Sequence, residues 1–154
     1  MKPVIDELAR IVKDFTAKFN SISEDDFSSK PSASKWSRKE VLGHLIDSGE
    51  NNLRRFICGQ YETPPPKIKY DQDFWVLANG YQQMSTRDVI DNWRIVNTKI
   101  CNVLSQMPAG NYHKMCDFGD GKLLTLQWLA SDYVKHLKHH LNQIIPKSFD
   151  ITYP

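Results

Sequence analysis

The sequence has 154 residues, with 20 Lys and Arg, 18 Asp and Glu, and a formal net charge of +2. This length suits one domain spanning residues 1–154, and a chain of this size folds without needing a disulfide or a structural metal. A hydrophobic fraction of 40% with 25% charged residues is typical of a globular protein and argues against disorder. So small a net charge gives no reason to expect a nucleic-acid partner.

The first residues and the cysteines bear on the compartment. Charged residues from Asp6 to Asp14 interrupt any apolar run of a signal peptide, and no stretch approaches the roughly 18 apolar residues of a membrane span. Cys58, Cys101 and Cys116 are odd in number and lack CxxC spacing, which fits a reducing compartment. We therefore expect a cytoplasmic protein without a membrane partner.

The first third of the chain predicts two helices. Apolar residues recur every three or four positions from about Val4 to Asn20, which indicates one amphipathic helix. Ser21–Ala33 is rich in Ser and Asp and predicts a loop. A second helix opens at the capping box Ser37-Arg38-Lys39-Glu40 and ends near Gly59.

A long connection separates this helix from the third. Tyr61–Tyr70 contains three consecutive prolines and excludes a regular helix, while Asp73–Ala78 is typical of a short helical turn. A third helix opens at Ser85, where an acidic variant of the capping box stands, and Pro108 closes it.

The last third predicts a turn and a final helix. Gly119-Asp120-Gly121 indicates a turn between two short strands, and a fourth helix runs from Thr125 to before Pro146. Four amphipathic helices predict an all-α four-helix bundle. The length of the connection between helices two and three predicts at least one crossover.

Two histidines of the last helix are spaced for metal binding. His136 and His140 are four residues apart, so they lie about 40° apart on one face, one turn along the axis. That spacing lets two imidazoles converge on one ion. The helical wheel places both at the edge of the apolar arc. The same spacing also occurs on solvated basic helix faces, and Lys135 and Lys138 stand nearby.

Helix two offers a third ligand in His44, at the edge of its apolar face. Ligands from facing helices of a bundle meet in its core, and three histidines leave coordination positions open for water or substrate. The alternative is that each histidine is structural and hydrogen-bonded. A protease of the HExxH type is excluded because Leu137 occupies the position of the required Glu.

Polar residues surround the proposed ligand of helix two. Ser48, Asn51 and Arg55 lie beside it, and Asn52 lies within the apolar arc. This stripe is either the boundary between core and solvent or the wall of a pocket in which Arg55 binds an anionic group. Asp47 either orients a ligand histidine or is a surface charge.

The last helix carries further candidates near its histidines. Tyr133 lies in the apolar arc, Gln143 lies next to His136 on the wheel, and His139 either contacts a ligand or faces solvent. The four tryptophans, Trp36 among them, are interpreted as packing residues.

The combined motifs resemble the DinB/YfiT-like superfamily. Lys35-Trp36-Ser37, Glu40 to Ser48 and Arg55-Phe56 are similar to its first motif. Tyr133 followed by His136-x-x-His139-His140-x-x-Gln143-Ile144 is similar to its last motif. The resemblance covers nearly the whole chain. One departure is Asn142, where members often have Gly.

This resemblance implies a bundle with up-down-down-up topology and a divalent metal, usually nickel or zinc, on His44, His136 and His140. It implies a metal-dependent enzyme, either a thiol-dependent S-transferase or a hydrolase. Its substrate would be a small molecule, and low-molecular-weight thiols are among the candidates. Dimers are common among members, so a homodimer is expected. The alternative is a non-catalytic, stress-linked binding or interaction module with structural histidines.

Overall fold

The computed structural model of the chain describes residues 1–119 and 121–153. Its helices and strands are α1 (Lys2–Phe19), α2 (Glu24–Ser28), α3 (Arg38–Cys58), α4 (Gln72–Asn79), α5 (Thr86–Gln106), β1 (Met115–Asp117), β2 (Leu123–Thr125) and α6 (Leu126–Ile144). Short 3₁₀ turns at Tyr81–Gln83 and Ala109–Asn111 follow α4 and α5. The four long helices match the predicted ones in position.

Side-chain caps start three of the long helices where the sequence predicted. Ser37 accepts a hydrogen bond from the Glu40 backbone at 3.1 Å, and Glu40 accepts one from the Ser37 backbone at 2.8 Å, which completes the capping box. Ser85 and Thr125 cap α5 and α6 in the simpler way, by accepting from the backbone three residues later.

The segment Ser21–Ala33, predicted as a loop, contains the short helix α2, so that prediction was wrong in part. Ser23 caps α2 by accepting from the Asp26 backbone, and the acidic residues of its first turn suit the positive end of a helix. Phe27 is fully buried, with its ring edge-on to Phe19 at 5.7 Å between centroids. Burial of this one ring stabilises α2, whereas the polar residues around it are typical of a loop.

Contacts along α3 fix the directions of its two neighbours. The start of α3 lies beside the start of α5, since the Lys39 ammonium donates to the Met84 carbonyl at 3.0 Å, and farther along Gly49 faces Val96. These two helices therefore run parallel. On its other side α3 runs antiparallel to α6, because Gly59 at the end of α3 lies against Leu126 at the start of α6.

The first helix completes an up-down-down-up bundle. Phe19 at the end of α1 packs on Trp93 in the first half of α5, at 5.3 Å between ring centroids, so these helices are antiparallel. Glu7 forms an ion pair with Lys138 of α6, and farther along Phe15 stacks on Phe149 beyond the end of α6. The predicted topology is confirmed, and the buried apolar residues of all four helices form one core.

The long connection is locked onto α3 by a close approach at Gly43. A Cβ atom at this position would lie 2.1 Å from Cδ2 of Tyr81, so only glycine admits the ring. Tyr81 is thereby placed so that its hydroxyl donates to Asp47 at 2.6 Å. The connection thus supplies part of the surroundings of α3 near His44.

The predicted strands form an antiparallel pair in which Cys116 is opposite Leu124. Asp120, the centre of the predicted turn between them, lies outside the described residues. Within the described part of the chain, no helix combines the length and apolarity that crossing a membrane requires.

Candidate metal centre

The structure brings His44, His136 and His140 together. One nitrogen of each ring lies within 4.8 Å of the others, and the Nε2 atoms of His44 and His136 are 3.3 Å apart. Ring centroids are separated by 4.5 to 5.2 Å. The antiparallel packing of α3 and α6 produces this convergence, because it sets the first turns of α3 against the last turns of α6.

The surroundings keep these imidazoles neutral. Burial, followed by the neighbouring His140, lowers the pKa of His44 to about 3. Burial, followed by the other histidines, lowers the pKa of His136 to about 2, and burial also lowers the pKa of His140. Because a metal ion needs the lone pair of a neutral ring, all three side chains are in their ligating form at neutral pH.

Hydrogen bonds orient two of the rings. Ser48 Oγ lies 3.4 Å from Nδ1 of His136, and the Gln143 side-chain carbonyl accepts from Nδ1 of His140 at 3.1 Å. Both contacts leave Nε2 available, which is the arrangement that second partners of ligand histidines produce in metal sites. Gln143 also donates to Nε2 of His139 at 3.2 Å, so His139 contacts the site through it.

The third ring has a buried nitrogen without a partner. Nδ1 of His44 makes no hydrogen bond within the described chain, although the residue is only 1% exposed. Its Nε2 faces the other two histidines. Each of the three neutral rings directs one nitrogen to the same place, and in two of the rings the other nitrogen has a polar partner. Such a set of nitrogens fits a divalent transition-metal ion.

Asp47 is buried within α3, so it is not the surface charge that the sequence left open. Its Oδ1 accepts from Tyr81 at 2.6 Å and from Asn79 at 2.8 Å, whereas Oδ2 has no partner within the described chain. Burial raises the pKa of this carboxyl to about 6. The Asn51 amide donates to the Asp47 carbonyl, which holds that amide along the helix.

Arg55 uses its donors within the protein. The guanidinium donates to the Ile68 carbonyl at 2.7 and 3.3 Å and to the Asn52 side chain at 3.3 Å, and it lies over the Phe118 ring at 4.2 Å. Asn52 in turn donates to the Ser48 carbonyl. With 4% exposure, Arg55 ties the long connection to α3.

Tyr133 is directed toward α5. Its hydroxyl donates to the Asn97 side chain at 2.6 Å, and the residue is 2% exposed. The sequence could not place this contact, because Asn97 stands on another helix and belongs to no motif.

Removing the Tyr133 hydroxyl is expected to affect stability and not metal binding. In Tyr133→Phe the Asn97 carbonyl remains buried without its partner, which costs about 1–2 kcal/mol of unfolding free energy. Urea denaturation measures this loss, with Tyr61→Phe as the control because Tyr61 is 68% exposed. Metal affinity within about twofold of wild type is expected; a clear loss would assign Tyr133 to the site.

A cavity of about 780 Å³ lies near the histidines, although none of the three lines it. Trp36 and Gln143 both line it, and each also contacts a predicted ligand, since the Trp36 ring lies 5.2 Å from His44. From its sequence context, Trp36 was expected to be a packing residue. Trp36 directly precedes the Ser37 cap, so it lies at the start of α3, where its ring contacts His44.

Comparison with known proteins identifies the family. The model that describes the DinB superfamily matches residues 7–144. The chain belongs to the DinB superfamily. No curated protein matches this DinB-superfamily chain.

Among solved structures, the fold is similar to that of YfiT from Bacillus subtilis, a protein described as a probable metal-dependent hydrolase with an unusual four-helix bundle topology. The TM-score is 0.77 at 18% sequence identity, and the alignment covers 91% of this chain and 83% of YfiT. The likeness confirms the predicted fold.

Proposed function

We propose that this DinB-superfamily chain is a metal-dependent enzyme whose divalent ion, nickel or zinc, is held by His44, His136 and His140. The observation that carries the proposal is the convergence of three neutral imidazole nitrogens within 4.8 Å, contributed by two helices. The description of YfiT as a probable metal-dependent hydrolase supports the same class of function.

When bound, such an ion supplies Lewis acidity, which lowers the pKa of a coordinated water or thiol and makes it a nucleophile at neutral pH. Residues of the chain orient the three histidine rings. Ser48 and Gln143 fix the planes of two rings, and Trp36 packs on the third. These contacts hold the rings in place for binding an ion.

The nearby cavity is the proposed substrate pocket. Its volume of about 780 Å³ lies within the range of small-molecule sites, roughly 300–1,000 Å³. Lys35 and Arg38 contribute cations to its lining, while Asp26 and Asp73 contribute carboxylates. We expect a small polar substrate, either one cleaved by water or an electrophile attacked by a low-molecular-weight thiol. A homodimer, common in the family, is also expected.

Turnover assays separate these reactions. Protein loaded with Ni²⁺ or Zn²⁺ is given a panel of esters and amides, and separately electrophiles with several low-molecular-weight thiols. We expect wild type and His113→Ala to turn over one panel, since His113 is exposed and lies outside the cluster, and His136→Ala to lose at least about 100-fold.

Activity that persists unchanged in metal-stripped protein would overturn the proposal. Absence of turnover in both panels, with metal bound, would favour the non-catalytic binding module.

A further inference from the structure

The segment after α6 returns along that helix and is called here the return segment, residues 145–153. Lys147 adopts a left-handed conformation with φ of 62°, which reverses the chain direction. The Ser148 hydroxyl donates to the Ile145 carbonyl at 2.7 Å and closes the turn.

Asn142 anchors this segment in both directions. Its side-chain carbonyl accepts from the Phe149 backbone at 2.9 Å, and its amide donates to the Phe149 carbonyl at 3.0 Å. The Phe149 ring stacks on Phe15 of α1 at 5.4 Å. A glycine, which the resembled motif often has at this position, offers no side chain for this pair. The departure noted in the sequence therefore has a structural consequence.

The far end of the return segment reaches the histidines. The Tyr153 ring lies 5.7 Å from the rings of both His136 and His139. Its hydroxyl donates to the Asp132 carboxylate, at 3.2 and 3.3 Å from the two oxygens. Asp132 stands one helical turn before His136, so this bond holds the phenol ring over the α6 side of the site.

We propose that Tyr153 is a positioning residue that covers His136 and His139. Asn142 and Asp132 hold it there through the return segment. Substrates then enter from the cavity at Trp36. Trp36 lines the cavity and contacts His44, whereas Tyr153 contacts His136 and is not among the residues that line the cavity. The proposal rests on the proposed function only for the role of His136 as a ligand.

Carbethoxylation of histidines by diethylpyrocarbonate in metal-free protein tests this arrangement, with mass spectrometry giving the rate for each residue. Because each histidine is compared between wild type and variant at the same pH, a change in its rate reports a change in access. We expect Asn142→Ala and Tyr153→Ala to raise the rates at His136 and His139 about fivefold or more, the change for losing one hydrogen bond of about 1 kcal/mol.

Two controls separate access from general loosening. His113 is exposed and serves as a reference within the same molecule, and Asn102→Ala removes an exposed amide from α5. Neither the rate at His113 nor any rate in Asn102→Ala should change. Tyr153→Phe, which keeps the ring and loses the bond to Asp132, should give an intermediate increase.

Unchanged rates at His136 and His139 in Asn142→Ala and Tyr153→Ala would overturn the proposal. Because no metal is present, this outcome is independent of whether the histidines bind an ion. In protein loaded with Zn²⁺, release of the ion to a chelator provides a second measurement: Tyr153→Ala should release it faster than Asn102→Ala, and equal release would contradict the positioning role.

Discussion

Replacing His136 with alanine is expected to lower the affinity of the protein for Ni²⁺ or Zn²⁺ at least about 100-fold. His136 supplies one of the three nitrogens, and its Nε2 lies only 3.3 Å from Nε2 of His44. Two imidazoles alone cannot complete the set that fixes an ion between α3 and α6. Isothermal titration calorimetry or competition with a chelating dye measures the dissociation constant.

Related variants test whether the three histidines act as one set. His44→Ala and His140→Ala should show losses of similar size, and His113→Ala should bind as wild type does. Gln143→Ala should have a smaller effect, roughly 10-fold, because it orients His140 without binding the ion. Equal dissociation constants for wild type and His136→Ala would show that the ion is held elsewhere.

Lowering the pH from 7 to 5 should destabilise the metal-free protein by about 2–3 kcal/mol. Burial holds the pKa of His44 near 3 and that of His136 near 2, whereas an unfolded histidine titrates near 6.5. Between these values the unfolded chain binds protons that the folded chain does not. Stability therefore falls as the pH drops below about 6.5.

Asp47 acts in the opposite direction over part of this range. Its folded pKa near 6 lies above the unfolded value near 3.8, so it binds a proton more readily when folded, which adds stability as the pH falls from 6 toward 4. Two histidines outweigh one carboxyl, so the net effect is a loss.

Urea denaturation of metal-free protein at pH 5, 6 and 7 measures the balance. Replacing His136 by Gln should flatten the pH dependence by about one proton. Asn102→Ala, which removes no ionisable group, is the control. Stability that is constant or rises toward pH 5 would contradict buried neutral histidines.

Local signals account for what the sequence predicted of the fold. The Ser37 box, the caps at Ser85 and Thr125 and the apolar stripes all act within a few residues, so the four long helices could be located. The short helix α2 escaped because Ser23 and its acidic neighbours are also typical of loops. What stabilises it is burial of Phe27 against Phe19, a contact that the tertiary structure creates.

For the candidate site too, local motifs predicted some features and packing between helices determined the others. The spacing of His136 and His140 and the resemblance of their motif were enough to select them with His44. Which neighbours contact them depends on packing between helices. Ser48 and Gln143 contact the rings of His136 and His140, whereas Arg55 and Tyr133 bond to Ile68 and Asn97. Tyr153 had no sequence signal at all, because its approach requires the chain to reverse after α6.

A crystal grown with Ni²⁺ or Zn²⁺ and measured on both sides of the absorption edge of that metal tests the central claim most directly. We predict one anomalous peak between α3 and α6, about 2.1 Å from Nε2 of His44, His136 and His140. An anomalous map with no peak between these three nitrogens, while the ion is bound elsewhere or not at all, would show that these histidines do not form a metal site.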